Sequence, residues 1–274
     1  MGSVITSSLE PVESILRWAG SKKKLLPTLR AHIPQKFNKY YEPFVGSGAL
    51  FFSLSPEAAV LGDINRSLIE TFEVLRRNPV KLHALISSFP RTKKNYYQSR
   101  QLVPRRKLSR AARFIYLNRL CFNGLYRTNK SDRFNVPYGY DTGEYPHIDC
   151  FRAASARLKR ASLVADDFEK TLETVQQNDF VFLDPPYVYS DRKDRGEYGA
   201  GCFSCVDLPR LSKMLRDLDT KRALFLLSYL DCKDVIPHLN GWNIRRVPVH
   251  RQIASFVNKR SVVNELLISN YECR

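Results

Sequence analysis

Val181-Phe182-Leu183 runs directly into Asp184-Pro185-Pro186-Tyr187, and the order of those residue types speaks of a specific chemistry. An apolar run followed by a sharp turn places the four residues at the end of a buried strand. Two consecutive prolines hold φ at about −65° and remove two N–H donors. What remains is a turn rich in acceptors: the Asp184 carboxylate and the Pro185 carbonyl. An amino group on a flat heterocycle carries two N–H donors and needs two such acceptors. Holding both hydrogens weakens conjugation of the nitrogen lone pair with the ring and aims it outward. The face of Tyr187 then stacks on the ring and holds it. The plainer alternative is a proline-rich turn with an exposed aromatic. The strand before it and the motifs below argue against that alternative.

A second motif is Glu42-Pro43-Phe44-Val45-Gly46-Ser47-Gly48. A strand that feeds a Gly-x-Gly turn into a helix lets backbone approach a ligand beyond the strand's carboxyl end. The third glycine of the dinucleotide fingerprint is absent, and Phe51 stands there. A third feature is Asp63, at the end of the next apolar run. An acid there accepts from both hydroxyls of a ribose; its bland reading is an N-cap for the following helix. Together the two favour a nucleoside-containing ligand without saying which.

The charge points to a polyanion. Lys plus Arg is 44 against 27 for Asp plus Glu, a net charge of +17 over 274 residues. Residues 74–131 contain no Asp or Glu but 15 Lys or Arg, with Tyr96, Tyr97, Phe114, Tyr116, Phe122 and Tyr126 among them. Such a block attracts nucleic acid by releasing its counterions, and its rings pack on bases or sugars. A solvated helical surface is the bland reading. At 43% hydrophobic and 12% aromatic the chain is globular, not disordered. No apolar run reaches membrane-span length, no strongly amphipathic membrane-surface helix stands out, and the amino terminus has no secretory pattern. Six irregularly spaced cysteines are no disulfide scaffold. A reducing, cytoplasmic setting is expected.

The elements that must position these groups alternate. Residues 40–44, 58–61, 180–183 and 223–228 read as strands, and 49–54, 66–77, 107–120 and 151–159 as helices. Ser204 with Asp207 caps a helix running to 216. Segments 243–249 and 262–269 pair as an antiparallel hairpin, and 189–201 is a flexible charged loop. This is an open α/β sheet, interrupted by a basic, mainly helical block, with 121–143 as a structured loop or hairpin. The domains are therefore 1–66 with 157–274, and an inserted 67–156. The lone Cys202-Phe203-Ser204-Cys205 lacks two further ligands for zinc, so no metal is expected. The five His residues have no catalytic pattern around them.

The chain resembles the Dam family of DNA adenine-N6 methyltransferases, the D12 class. The resemblance rests on Arg17-Trp18-Ala19-Gly20-Ser21-Lys22, residues 42–48, Gly62-Asp63-Ile64-Asn65, Leu117-Asn118-Arg119, Asn123-Gly124-Leu125-Tyr126-Arg127, Phe134-Asn135-Val136-Pro137-Tyr138-Gly139, Asp166-Asp167-Phe168, residues 184–187 and Glu265-Leu266-Leu267-Ile268. It implies a Rossmann-like, mostly parallel sheet with a carboxy-terminal antiparallel hairpin, and a target-recognition domain carrying a β-hairpin. It implies S-adenosylmethionine as methyl donor, with Trp18, Ala19, Gly20 and Lys22 at its methionine end beside Glu42, Phe44, Gly46 and Gly48. Asp63 would hold the ribose, Asp167 and Phe168 the adenine. Asp184, Pro185, Pro186 and Tyr187 would be catalytic, with Asp184 also touching the cofactor.

The same resemblance implies double-stranded DNA as partner. Arg17 would reach a base near the target and Arg119 a phosphate. Asn123, Arg127, Asn129, Arg133 and Tyr138 would lie in or beside the recognition hairpin. GATC or a related site is implied as target, although residues 128–133 depart from the family pattern, as does Ser21, which stands where a second glycine is commoner. A monomer of prokaryotic or phage origin fits, with a cognate restriction endonuclease as a further partner. Read from the residues alone, methylation of cytosine N4 or of RNA adenine stays open, as does a non-catalytic DNA-binding role.

Overall fold

A computed structural model describes residues 3–4, 12–129, 131, 133–139, 143–187, 203–233, 235–252 and 260–272. In chain order the elements are β1 (Ser3–Val4), α1 (Leu26–His32), β2 (Lys36–Phe37), β3 (Tyr40–Glu42), α2 (Ala49–Leu54), β4 (Ala59–Gly62), α3 (Arg66–Arg77), α4 (Pro79–Ser87), α5 (Lys93–Gln101), α6 (Lys107–Leu120), α7 (Ile148–Leu158), β5 (Ala161–Val164), α8 (Phe168–Leu172), β6 (Phe180–Leu183), α9 (Leu208–Thr220), β7 (Leu224–Leu230), β8 (Asn243–Gln252) and β9 (Arg260–Ser269). Among the described residues, β1 pairs with β2, and the other seven strands form one sheet in the order β5-β4-β3-β6-β7-β9-β8. The first five of these run parallel. β9 runs antiparallel between β7 and β8.

Strand alternation sorts the core into two layers. Tyr40, Leu61, Phe180, Phe182, Leu226 and Leu267 face one side, where they share a core with Leu68, Phe72 and Leu75 of α3, Ala112 and Ile115 of α6 and Phe151 of α7. Tyr41, Val60, Val181, Leu183, Phe225 and Leu227 face the other, against Leu211, Leu215 and Leu218 of α9. Both faces are covered, so β6 and β7 read as continuous apolar runs. The inner faces of α3 and α6 follow from the apolar spacing in sequence, and both helices have the expected bounds. A smaller cluster of Tyr96, Tyr116, Leu117, Leu120, Cys121 and Val136 supports the loop after α6.

Several details differ from expectation: β5 and α8 have no counterpart in the sequence reading, and α7 starts at Ile148 rather than 151. Asn65 caps α3, accepting from Leu68 N at 3.0 Å, so the N-cap alternative for Asp63 does not hold. The Ser204–Asp207 capping box is present, but a short 3-10 turn follows it, and α9 runs from Leu208 to Thr220. β8 continues past 249 to Gln252 because β9 pairs with it along its whole length. Pro248 is tolerated inside β8 because the strand lies at the sheet edge. The loop expected over 189–201 lies outside the described residues, as does Cys202.

Strand order fixes where a ligand fits. β3 has β4 on one side and β6 on the other, so the connections leave it in opposite directions. Such a switch point opens a crevice beyond the carboxyl ends of the strands. Glu42 ends β3, Asp63 follows β4 and Asp184 follows β6. Three acids far apart in the chain thus converge at one rim.

Candidate active site

The turn after β3 is built by its glycines. Gly46 has φ +47, and a Cβ there would lie 2.8 Å from Trp18 Nε1. Its amide donates to Asp63 Oδ2 at 3.0 Å, while Asn65 N donates to Oδ1 at 2.9 Å. Asp63 therefore ties the β3 turn to the β4 turn. Burial pushes its carboxyl up to about 6, against the pull of those two amides. Gly48 has φ +67 and sits over Phe52 and Val45 at the start of α2.

A cavity of about 320 Å³ opens at this rim. Trp18, Ala19, Gly20, Lys22, Glu42, Phe44, Gly46, Asp63, Asp167, Phe168 and residues 184–187 all line it. Gly48 is the one expected cofactor residue that does not; its part is the turn. Glu42 is buried and accepts from Tyr40 Oη at 2.9 Å. Burial, aided by the nearby Asp184, lifts its carboxyl to about 8, with the Tyr40 bond opposing. The folded state thus keeps a proton that the unfolded chain releases above about 4.5, so stability falls as pH rises between 4.5 and about 8. Glu42→Gln removes that slope. Its unfolding free energy should match the wild type near pH 5 and exceed it progressively toward pH 9, by up to roughly 5 kcal/mol; parallel pH profiles for the two proteins, read by denaturant titration, would contradict the assignment.

The acceptor corner at the end of β6 is held by a buried cation. Lys22 is 5% exposed. Its Nζ donates to Asp184 Oδ1 and to Tyr187 Oη, each at 2.7 Å, and lies 3.9 Å from Glu265 Oε2. Burial opposes the charge, but Asp184, Tyr187 and Glu265 outweigh it and hold Lys22 above the ordinary lysine range. Glu265 also accepts from Ser228 Oγ at 3.2 Å. The Tyr187 ring packs edge-on against Tyr229, centroids 5.2 Å apart. Burial, together with Asp184 and Glu265, raises its phenol above the ordinary range, with Lys22 opposing. Lys22 reaches the cavity as expected, but its ammonium engages the carboxylate corner. Glu265 was legible only as part of a motif, with no hint that it faces Lys22.

At the other end of the cavity Phe44 stacks on Phe168 at 5.4 Å, and Phe203 meets both rings near edge-on. Asp167 caps α8, its Oδ1 accepting from Glu169 N at 3.0 Å and from Arg210 Nη2 at 2.7 Å. Phe203, Asp207, Arg210 and Asn65 line the cavity and were missed in the sequence. Asp207 was visible only as a cap and Asn65 only as part of the Gly62–Asn65 motif; Phe203 and Arg210 carried no signal for this site.

The expected DNA-contacting residues gather elsewhere, around the loop after α6. Asn118 accepts from Arg17 N at 2.9 Å and donates to Arg17 O at 2.6 Å, so the amino-terminal segment is tied to α6. Gly124 has φ +64, and a Cβ there would lie 2.6 Å from Arg17 Cβ. Trp18 stacks on Tyr126 at 5.8 Å, linking the loop to the cavity. Arg119 donates to the Glu144 carbonyl at 2.6 Å, and burial with Arg17 nearby lowers its pKa. Asn123 is exposed, with φ 53. Bridges Cys121–Tyr138 and Thr128–Phe134 make the loop a hairpin. Asn129 Oδ1 closes its tip by accepting from Ser131 N and Arg133 N, each at 3.0 Å. Arg127 Nε donates to Asn135 Oδ1 at 2.8 Å. Tyr138 packs edge-on against Tyr96 and donates to the Arg91 carbonyl at 3.4 Å. Asn129 and Arg133 are exposed at the tip.

Among the described residues no group of three His, Cys, Asp or Glu is placed to hold a metal, and no helix is long and apolar enough to cross a membrane. Residues 18–248 match the family of D12 class N6 adenine-specific DNA methyltransferases. The chain is 33% identical over 267 residues to the type II methyltransferase M1.LlaDCHI of Lactococcus lactis subsp. cremoris, covering 93% of this chain and 94% of that one. It is 33% identical over 287 residues to the type II methyltransferase M.MjaIII of Methanocaldococcus jannaschii, covering 95% and 99%. It is 31% identical over 266 residues to the DNA adenine methylase of Haemophilus influenzae, covering 92% and 91%. Since the match runs through the strand-end acids, the acceptor corner and the hairpin alike, the chain belongs to the D12 class of N6 adenine-specific DNA methyltransferases, enzymes that methylate DNA at adenine N6.

Proposed function

We propose that this enzyme uses S-adenosylmethionine to methylate an adenine taken out of duplex DNA, within GATC or a related site. One observation carries the reading: the Lys22–Asp184–Tyr187 corner after β6 and Asp167 with Phe168 after β5 line the same cavity, with β3 and β4 between them in the sheet. The residues present fit that cofactor. The cavity has the volume of a small-molecule site, a carboxylate beside a glycine turn for ribose hydroxyls, and an aromatic wall beside a second carboxylate for a purine. Trp18, Ala19, Gly20, Glu42, Phe44 and Gly46 would surround the amino-acid part, with Gly48 shaping the turn. When bound, the cofactor supplies an electrophilic methyl on a sulfonium.

The chain's own residues do the rest. Tyr187 stacks on the displaced base. Asp184 and the Pro185 carbonyl each accept one N6–H and turn the lone pair out of conjugation. Positive charge grows at N6, and the Asp184 carboxylate stands where it grows, so it stabilises the transition state without acting as a strong base. Fixed alignment of N6 contributes further. Lys22 limits Asp184 to one orientation. Residues 67–156 would read the duplex, and 1–66 with 157–274 would carry the chemistry. The test is incubation with methyl-labelled cofactor and a GATC-containing duplex, followed by nucleoside analysis. N6-methyldeoxyadenosine is expected. N4-methyldeoxycytidine, label on RNA alone or no label would each overturn the reading.

Phosphate and base contacts separate by salt dependence. Lys93 and Lys94 are exposed on the first turn of α5. Neutralising both should weaken binding to every sequence alike and flatten the slope of log K against log salt by about 2. Arg127→Ala should instead blur site choice, at about 1–3 kcal/mol of discrimination. Binding titrations on matched and mismatched duplexes at several salt concentrations distinguish the two; the reverse pattern would misplace the reading head.

A further inference from the structure

Arg210 is the best-connected side chain at the cavity that no sequence motif contains. It comes from the first turns of α9 and reaches across to α8. Its Nη2 lies 2.7 Å from Asp167 Oδ1 and 2.9 Å from Glu169 Oε2, and its Nη1 lies 2.7 Å from Asp207 Oδ1. The guanidinium lies over the Phe168 ring, 4.8 Å from the centroid. Asp207 is itself held, its Oδ2 accepting from Ser204 N at 2.8 Å and Ser204 Oγ at 2.9 Å. Three carboxylates that would repel one another therefore converge on one planar cation.

The consequence falls on Asp167. Glu169 N and Arg210 both take Oδ1. Among the described residues no donor meets Oδ2. A carboxylate held through one oxygen from two directions cannot rotate, so its other oxygen keeps a single direction. Stacking of the guanidinium fixes the neighbouring ring in the same way. Asp167 and Phe168 both line the cavity.

We infer that Arg210 is the positioning residue for the purine end of the cofactor site, holding Asp167 so that it accepts from a 6-amino group and refuses a 6-oxo group. The inference rests on the reading of Asp167 as the acceptor for the cofactor's adenine. An oxygen at purine C6 would meet the carboxylate as acceptor against acceptor, so discrimination of about tenfold or more is expected from one charge-assisted bond.

The experiment is calorimetric titration of the full chain with S-adenosylhomocysteine and with S-inosylhomocysteine, which differ in the group at C6 and in the proton that the oxo form carries on N1. The wild type should prefer the adenosine compound by about tenfold or more. Arg210→Ala and the milder Arg210→Gln should bring the ratio close to one, with Arg210→Lys in between. Merely structural damage would weaken both ligands by the same factor and leave the ratio intact, which would overturn the inference; so would an unchanged ratio without loss of affinity. Asp167→Asn is the control on the underlying reading. Its amide can donate to a 6-oxo group, so the preference should vanish or reverse. If the preference survives in Asp167→Asn, the assignment of Asp167 fails and the inference with it. If it vanishes there but persists in Arg210→Gln and Arg210→Ala, the role of Arg210 alone is wrong.

Discussion

Asp184→Ala should lower the single-turnover rate of methyl transfer by roughly a thousandfold or more, while affinity for the duplex stays within about twofold. Two effects combine. On the proposed mechanism the variant loses the acceptor for N6–H, and the charge that stabilises positive charge growing there. It also leaves the Lys22 ammonium with the Tyr187 hydroxyl at 2.7 Å and only the more distant Glu265 carboxylate, at 3.9 Å, to balance it. A cation with no carboxylate between it and N6 opposes the same charge development. Asp184→Asn keeps the shape and one acceptor but not the charge, so it should fall well short of full recovery. Rapid-quench turnover and fluorescence anisotropy report the two quantities separately. Lost duplex affinity with an intact single-turnover rate would show that Asp184 serves binding rather than chemistry.

Lys22→Met should be the most damaging change to stability at the site. The ammonium is almost wholly buried between Asp184 and Glu265. Removing one member of a buried ion pair leaves uncompensated charge and costs about 3–5 kcal/mol, which lowers the melting temperature by roughly 5–15 °C at this chain length. The sign of the pH effect follows. Folded Lys22 titrates above its ordinary 10.5, so its stabilisation is complete below that value and lost only in strong alkali. The wild type therefore gains or loses nothing from Lys22 between pH 5 and 9. In the variant the two carboxylates face each other without a counter-ion, and protonation relieves them. The deficit should shrink as pH falls from 8 to 5. A deficit that is the same at every pH would mean the lost packing of the lysine stem, not its charge, is responsible. Turnover should fall by about a hundredfold, because Asp184 loses the bond that orients it.

How much of this site was legible depended on distance along the chain. The Gly46–Gly48 turn and the 184–187 corner were readable because each is a local solution: a positive φ, or a pair of ring-locked residues, after an apolar strand. Helices α3 and α6 were readable to the residue because apolar spacing marks their buried faces. β8 was underestimated because Arg245, Arg246 and Pro248 interrupt any alternation there; its length is set by its ladder with β9. Asp63 was read against an N-cap alternative, yet Asn65 performs the capping and Asp63 joins two turns.

By itself the sequence determined which functional groups exist and which local turns present them: an acceptor corner, strand-end acids, a basic block with aromatics. Only the tertiary structure decided which of them face one another. Lys22 meets Glu265 from the opposite end of the chain, and Arg210 gathers Asp167, Glu169 and Asp207 from two helices. Apart from that of Asp207, three residues before Arg210, these ion pairs have no sequence spacing to betray them. They form where strand order and helix packing bring side chains within a few ångströms, and charge attraction then selects the partner.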